Sequence, residues 1–235
     1  MRRIVGAYGR FVRADGPVQF RFHVRGRAAR VAIAPPRVTY SDGAVVLEEA
    51  EEFGELDPIS GVARIATDRA LLGLDAFLRA AVSLGVERRG GCLFHAAAVV
   101  VDGLAYLFPG HSGAGKSTLA SLAQTPLSDE ICAVTPVRDG LIAHATPWWR
   151  GQASCAPLAG VFSLSWQGEG LSFRPPGAAL RHLLANLVIM LDGAESRKAT
   201  FAAAGRIAAS VPFGQLAFGR ETDIDLLLRR CRRAA

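Results

Sequence analysis

The run Val18-Gln19-Phe20-Arg21-Phe22-His23-Val24 alternates apolar and polar positions, so it predicts a strand with one apolar and one polar face. The rest of residues 1–66 reads the same way, as strands and turns. Ser41-Asp42-Gly43 predicts a hairpin turn, and Pro35-Pro36 a break or an edge. His23 lies in the alternating strand among arginines and reads as a surface residue. The period then changes. Leu71, Leu72, Leu74, Phe77, Leu78 and Val82 fall at helical spacing, predicting a helix capped by Thr67-Asp68 that runs to about Leu84.

Leu93 to Val101 and Leu104 to Phe108 are apolar runs joined by Asp102-Gly103, a strong hairpin signal. A short helix follows from Lys116 to about Ala123. Ile131 to Val137 and Leu141 to Ala145 predict a second hairpin around Asp139-Gly140. A third is expected to join Val161–Trp166 to Leu171–Phe173 through Gly168-Glu169-Gly170. From Pro176 the pattern is helical, with one helix to about Leu191 and another from about Glu195 to Ala209. A strand near Phe213–Phe218 leads to a last helix capped by Thr222. Hairpins and helices are interspersed rather than alternating as βαβ units. The reading is a mixed α/β fold, with a small β-rich part at 1–66 and a main domain at 67–235, and it argues against a standard doubly wound sheet.

One local sequence carries specific chemistry. Gly110-His111-Ser112-Gly113-Ala114-Gly115-Lys116-Ser117, followed by Thr118, fits the phosphate-binding pattern G-x-x-x-x-G-K-[ST] at every fixed position. The glycines allow a tight turn whose N–H groups face an anion, and the following helix adds the positive end of its dipole. Lys116 reaches the β- and γ-phosphates, and the Ser117 hydroxyl is a ligand for Mg²⁺. Of 27 basic residues only Lys116 and Lys198 are lysines, so a chain that otherwise writes arginine keeps a compact ammonium here. The preceding strand and following helix are the context this motif needs. His111 sits at a variable position and reads as solvent-facing.

Asp129 and Glu130 follow thirteen and fourteen residues after Lys116. Two adjacent carboxylates beside a nucleotide can divide the work of orienting Mg²⁺ and accepting a proton. Away from the loop they would read as a solvated strand start. His95, amid apolar residues, reads on its own as a core histidine. Trp148-Trp149-Arg150-Gly151 offers an arginine to a phosphate and an indole to a substrate, or simply core packing with an exposed arginine. His144 and His182 show no ligand spacing.

Composition narrows the classes. Half of the 235 residues are hydrophobic and 20% are charged, which supports a large core and excludes disorder. The net charge of +6 is concentrated in part at Arg229, Arg230, Arg232 and Arg233, which read as a solvated helix end rather than a nucleic-acid or lipid surface. Cys92, Cys132, Cys155 and Cys231 have neither zinc nor redox spacing and read as buried thiols. The longest apolar run, Ala96 to Val101, is too short to span a bilayer, and no signal peptide is read at the N-terminus. The expectation is a cytoplasmic protein with no membrane span, no nucleic-acid partner and room for a homo-oligomer.

Phe94-His95-Ala96-Ala97 with Val99-Val100-Val101-Asp102-Gly103, the loop, and Leu127-Ser128-Asp129-Glu130 together resemble the catalytic core of HPr kinase/phosphorylase. The likeness is stronger to the shorter HPr-kinase-like proteins, some of which modify peptides in bacterial natural-product clusters. It covers residues 90–135 well. It continues more weakly through Thr146-Pro147-Trp148 and Ala156-Pro157-Leu158-Ala159-Gly160 to the C-terminus, and residues 1–66 have no counterpart. The resemblance implies a P-loop kinase core related to phosphoenolpyruvate carboxykinase. It implies transfer of the γ-phosphoryl group of ATP or another nucleoside triphosphate, with Mg²⁺, to a serine hydroxyl of a peptide or protein. It places the base on Asp129, the second metal-site acid on Glu130, and the histidine supporting the base on His95. Three departures stand out. Ala96 replaces a glycine, Glu130 replaces an aspartate, and Val211-Pro212-Phe213-Gly214 is a faint echo of the loop used for phosphorolysis. A nucleotide-binding regulatory or assembly ATPase and a small-molecule kinase remain as alternatives. A kinase is further expected to hold His95 within hydrogen-bond reach of Asp129.

Overall fold

The computed structural model describes residues 8–11, 20–26, 37–41, 44–49, 52–57, 59–67, 72–148, 153–190 and 193–234. Pro35, Pro36, Asp68, Trp149, Arg150 and Gly151 lie outside the described residues, as do the side chains of Cys231, Arg232 and Arg233.

The chain divides into two compact units, the first built mainly from Arg13–Arg88 with Ile189–Ala199. Its strands are β1 (Arg21–Gly26), β2 (Arg37–Ser41), β3 (Ala44–Glu49), β4 (Glu52–Asp57) and β5 (Val62–Thr67). They form a sheet in the order β1-β5-β4-β3-β2, with β1 parallel to β5 and the rest an antiparallel meander. Ser41 pairs with Ala44, the hairpin that the turn signal predicts. Helix α1 (Leu72–Glu87), which the sequence put at the head of the second domain, packs on this sheet. Its buried stripe is Leu74, Phe77, Ala80, Ala81 and Leu84, set against Leu56, Ala63 and Ile65. Val82, expected in that stripe, is half-buried because it sits at the stripe's edge. Gly54 is required for this packing, since a Cβ there would overlap the Phe77 ring.

The second unit holds Tyr8–Val12, Arg89–Val188 and Thr200–Ala235. Strands β6 (Cys92–Val101) and β7 (Leu104–Pro109) form the expected hairpin, and Asp102 and Gly103 have φ of 50° and 79°, as a type I′ turn demands. Around them lie β8 (Pro126–Ser128), β9 (Ile131–Val137), β10 (Gly140–Ala145), β11 (Cys155–Ser165), β12 (Gly170–Phe173), β13 (Leu187–Val188) and β14 (Phe213–Ala217). The main path is β10-β9-β6-β7-β11-β14-β12. Because β10 also pairs with the first residues of β11, strands β6, β7, β11, β10 and β9 close a ring. Strands β7, β11 and β14 run parallel, and β6 runs against β7.

The central strands are buried on both faces, which explains their unbroken apolar runs. On one face Ala97, Val99, Tyr106, Phe108 and Phe162 pack under α2 (Lys116–Leu122) and α5 (Ile224–Ala234) through Leu119, Ile224, Leu227 and Leu228. On the other, Phe94, Ala96, Ala98 and Leu107 pack under α3 (Pro176–Ala185) and α4 (Ala194–Ser210) through Ala179, Leu183, Ala203, Ala204 and Ile207. Burial of each of the phenylalanines contributes about 2–3 kcal/mol, so the strands that lead to the loop are firmly fixed.

Three expectations are corrected. Val161–Trp166 and Leu171–Phe173 do not pair as a hairpin, because β14 inserts between β11 and β12. Val161 and Phe162 are buried and take a central place, whereas Ser172 and Phe173 are exposed and suit an edge. The helix from Pro176 stops at Ala185 rather than near Leu191. Asn186 Nδ2 donates to the His182 carbonyl, and the chain turns into β13, which pairs with β6. The last helix is capped by Asp223, whose Oδ1 accepts the Leu226 N–H at 2.9 Å. Thr222 instead accepts the Gly219 N–H at 2.9 Å and closes the turn ahead of it.

Candidate phosphate-binding and catalytic site

Strand β7 ends at Pro109 and delivers the chain into residues 110–115. Gly113 and Gly115 have φ of +83° and +100°, the left-handed region that glycine enters without strain. At Gly110 a Cβ would meet the Ala114 Cβ at 2.9 Å, so the loop also closes tightly at its start. His111, Ser112, Gly113 and Ser117 are exposed, Ala114, Gly115 and Thr118 half-buried, and Gly110 buried. His111 is solvent-facing, as expected, with Nδ1 2.7 Å from the Ser112 carbonyl.

Lys116 is 6% exposed, unlike almost every other charged side chain among the described residues. Its Nζ donates to the carbonyls of Gly110 at 2.7 Å and His111 at 2.9 Å. The ammonium is therefore folded back into the loop it follows. Burial lowers its pKa, and the nearby Glu130 and then Asp129 carboxylates oppose that shift. So the two acids lie within electrostatic reach of the loop lysine.

Pairing explains how they get there. In the antiparallel hairpin the start of β6 lies beside the end of β7, with Ala96 opposite Pro109. The Gly110 N–H donates to the His95 carbonyl at 3.2 Å, which joins His95 directly to the loop. Strands β8 and β9 both pair with β6, Ser128 opposite Ala98 and Ile131 opposite His95. Asp129 and Glu130 fill the turn between them, and the Glu130 carbonyl accepts the Ala96 N–H at 3.1 Å. Asp129 is half-buried and Glu130 exposed. Ser128, fully buried, shapes the turn by donating to the Ile131 carbonyl at 2.8 Å and accepting the Glu130 N–H at 3.4 Å. Thr146 donates to that same carbonyl at 2.6 Å.

His95 shares its face of β6 with Ala97 and Val99, the face that carries α2, and its side chain stays 34% exposed. Its Nε2 lies 3.8 Å from Glu130 Oε2. This corrects the expected partner: the histidine faces Glu130, and among the described residues no hydrogen bond joins it to Asp129. Burial lowers the His95 pKa, the Lys116 charge lowers it further, and Glu130 raises it. The imidazole is thus held toward its neutral form.

Sequence reasoning missed the brace behind this arrangement. His182 Nε2 lies 2.8 Å from the Pro109 carbonyl, which can only accept, so this nitrogen carries the proton. Asn186 donates to the His182 carbonyl, and its own carbonyl accepts the His95 N–H at 2.9 Å. The end of α3 thereby ties the residue before the loop to the histidine beside the acids. The signal was present as a histidine and an asparagine four residues apart, but nothing local says which strand they meet. The other histidine without ligand spacing, His144, bonds Thr135 Oγ1 at 2.8 Å away from the loop.

The donors at the loop mouth suit a hard cation. The Ser117 hydroxyl is exposed and has no protein partner among the described residues, and Asp129 and Glu130 offer carboxylate oxygens. No group of three His, Cys, Asp or Glu side chains gathers to hold a metal among the described residues. A Mg²⁺ ion there would complete its shell with phosphate oxygens and water, as this ion commonly does. No described helix is long and apolar enough to cross a membrane. Cys92 and Cys132 are buried thiols pushed up to about 12, whereas Cys155 is exposed, contrary to expectation, because it opens β11 at a solvent-facing position.

Neither a protein-family profile nor a curated protein sequence matches the chain. Among solved structures, the chain is similar to the Hpr(Ser) kinase/phosphatase from Coxiella burnetii, at 14% identity and a TM-score of 0.37, over 60% of this chain and 88% of that one.

Proposed function

We propose that this protein is an ATP- and Mg²⁺-dependent phosphotransferase that moves the γ-phosphoryl group to a hydroxyl, serine for preference, of a peptide or protein. The observation that carries the reading is the junction of three strands at the loop. His95 accepts from Gly110, and the Asp129-Glu130 turn lies opposite Ala96, within electrostatic reach of buried Lys116. The sequence resemblance supports the same assignment of roles.

In this reading the loop N–H groups and Lys116 hold the phosphates. Lys116 exchanges its two carbonyl partners for phosphate oxygens, which are stronger acceptors for an ammonium. Ser117, Glu130 and Asp129 hold Mg²⁺, whose chemistry is to neutralise charge on the β- and γ-phosphates. Asp129 orients the acceptor hydroxyl and takes its proton. His95, kept neutral, stands beside the Glu130 carboxylate at 3.8 Å. Positioning and charge supply most of the rate, because the transferring group needs little covalent help.

One observation favours the regulatory ATPase. His95 faces Glu130, so Asp129 has no orienting histidine among the described residues. The two readings separate on the acids. Asp129→Asn should leave ATP affinity within about tenfold yet lower transfer to a serine peptide by about 10² or more. Glu130→Gln should shift the Mg²⁺ dependence instead. Equal, mild losses in both variants would remove the kinase reading.

A further inference from the structure

The parallel strands β7, β11 and β14 lie side by side and end at one edge of the sheet. Ligands of parallel sheets gather beyond such strand ends. The end of β7 carries the phosphate loop. The end of β11 carries Trp166, and the end of β14 carries Phe218. We propose that the Trp166 indole is the platform for the base of the bound nucleotide, a proposal that rests on the nucleotide reading above.

Four observations converge on this residue. First, it touches the loop. A Cβ built on Gly115 would meet Trp166 Cζ2 at 2.9 Å and Cε2 and Nε1 at 3.1 Å, so the indole edge lies against the glycine before Lys116. Second, it is held in place. Its ring packs on Phe218 with centroids 4.7 Å apart, and the Phe218 N–H donates to the Ser165 carbonyl at 3.0 Å. The Gln167 N–H donates to Ser165 Oγ at 3.1 Å, fixing the other side of the residue. Third, the indole is 47% exposed although it lies beside a core cluster, so a wide aromatic surface is left open next to the loop. Fourth, its Nε1–H has no hydrogen-bond partner among the described residues. A rigid, half-open aromatic with a spare donor is what a nucleobase stacks on, because every base presents a π-face.

The test measures the affinity of the full-length protein for MgATP and for Mg-tripolyphosphate, which has the phosphates but no base. Trp166→Ala should weaken MgATP about tenfold or more and leave tripolyphosphate unchanged. Trp166→Phe, which keeps a ring, should recover most of the ATP affinity. ATP should change the tryptophan fluorescence of the wild type, tripolyphosphate should not, and Trp166→Phe should lose the response. If Trp166→Ala weakens both ligands equally, Trp166 only shapes the loop and the proposal is wrong. No loss for either ligand also overturns it. If the wild type binds neither, or Lys116→Ala binds both as well as the wild type does, the loop reading itself fails and takes the proposal with it.

Discussion

The two sheets of this protein place their polar groups differently. In the N-terminal unit one face is covered by α1, and the other carries Arg21, His23, Arg25, Glu55 and Arg64, all exposed. Those side chains lie side by side on neighbouring strands, with His23 and Glu55 both opposite Arg64, and His23, Arg25, Glu55 and Arg64 line one open hollow on the sheet. In the loop-bearing unit the central strands are buried on both faces, so polar chemistry is excluded from their middles. It appears at their ends, where His95 lies beside Gly110 and Glu130, and where Trp166 lies against Gly115. The open face groups residues that are already neighbours in the strand register. Strand ends, fixed by a core on both sides, bring groups from distant sequence to one point.

The largest test of that contrast is Lys116→Ala. It should abolish the rise in melting temperature produced by MgATP, since a ligand stabilises only a state that binds it. Removing exposed Arg64 from the N-terminal sheet should leave the rise intact. An unchanged response in Lys116→Ala would dissolve the difference between the units.

Two glycines sharpen it further. Gly54→Ala drives a methyl into the Phe77 ring and should cost about 1–3 kcal/mol of stability while ATP affinity is unaltered. Gly115→Ala forces a side chain to φ +100° and into Trp166 and should cost a similar amount, about 1–3 kcal/mol, with ATP affinity falling as well. Chemical denaturation and calorimetry on the two variants separate the outcomes. Parallel effects on affinity would mean that the loop does not depend on this geometry.

The smallest effect is in pH. His95, His144 and His182 all have pKa values lowered by burial below the ordinary 6.5. Below 6.5 the unfolded chain takes up protons that the folded one refuses, so stability is full above that value. It should be lost as pH falls through 6.5 toward the depressed folded values. His182→Asn should flatten this loss, as measured by urea unfolding between pH 8 and about pH 5. A slope unchanged by that substitution would place the titration elsewhere.

Much of this arrangement was legible in local sequence. The Asp102-Gly103 turn specifies a hairpin by itself, and the loop motif fixes its own conformation through Gly113 and Gly115. The adjacent acids were visible because they are consecutive. What stayed hidden depends on pairing between distant segments. The alternation of Leu171-Ser172-Phe173 fits a hairpin partner of β11 as well as a partner of β14, and only the burial of Phe162 and Leu216 decides between them. The helix from Pro176 carries an apolar pattern past Ala185, yet the pairing of Leu187 and Val188 with β6 overrides it. His95 was placed near the right turn, but its choice of Glu130 over Asp129 is a matter of side-chain direction that no spacing encodes. Trp166 gave no signal, because its meaning comes from Gly115, fifty-one residues earlier in the chain.

The central claim is that Lys116, Asp129 and Glu130 act together on one nucleotide to transfer its γ-phosphoryl group. The most direct measurement follows γ-labelled ATP incubated with the protein, Mg²⁺ and a library of serine-containing peptides. The account predicts label on serine in the wild type, about 10² or more below that in Asp129→Asn, and ATP affinity nearly equal in the two. Label released only as inorganic phosphate, at a rate indifferent to Asp129 and to every peptide, would contradict it.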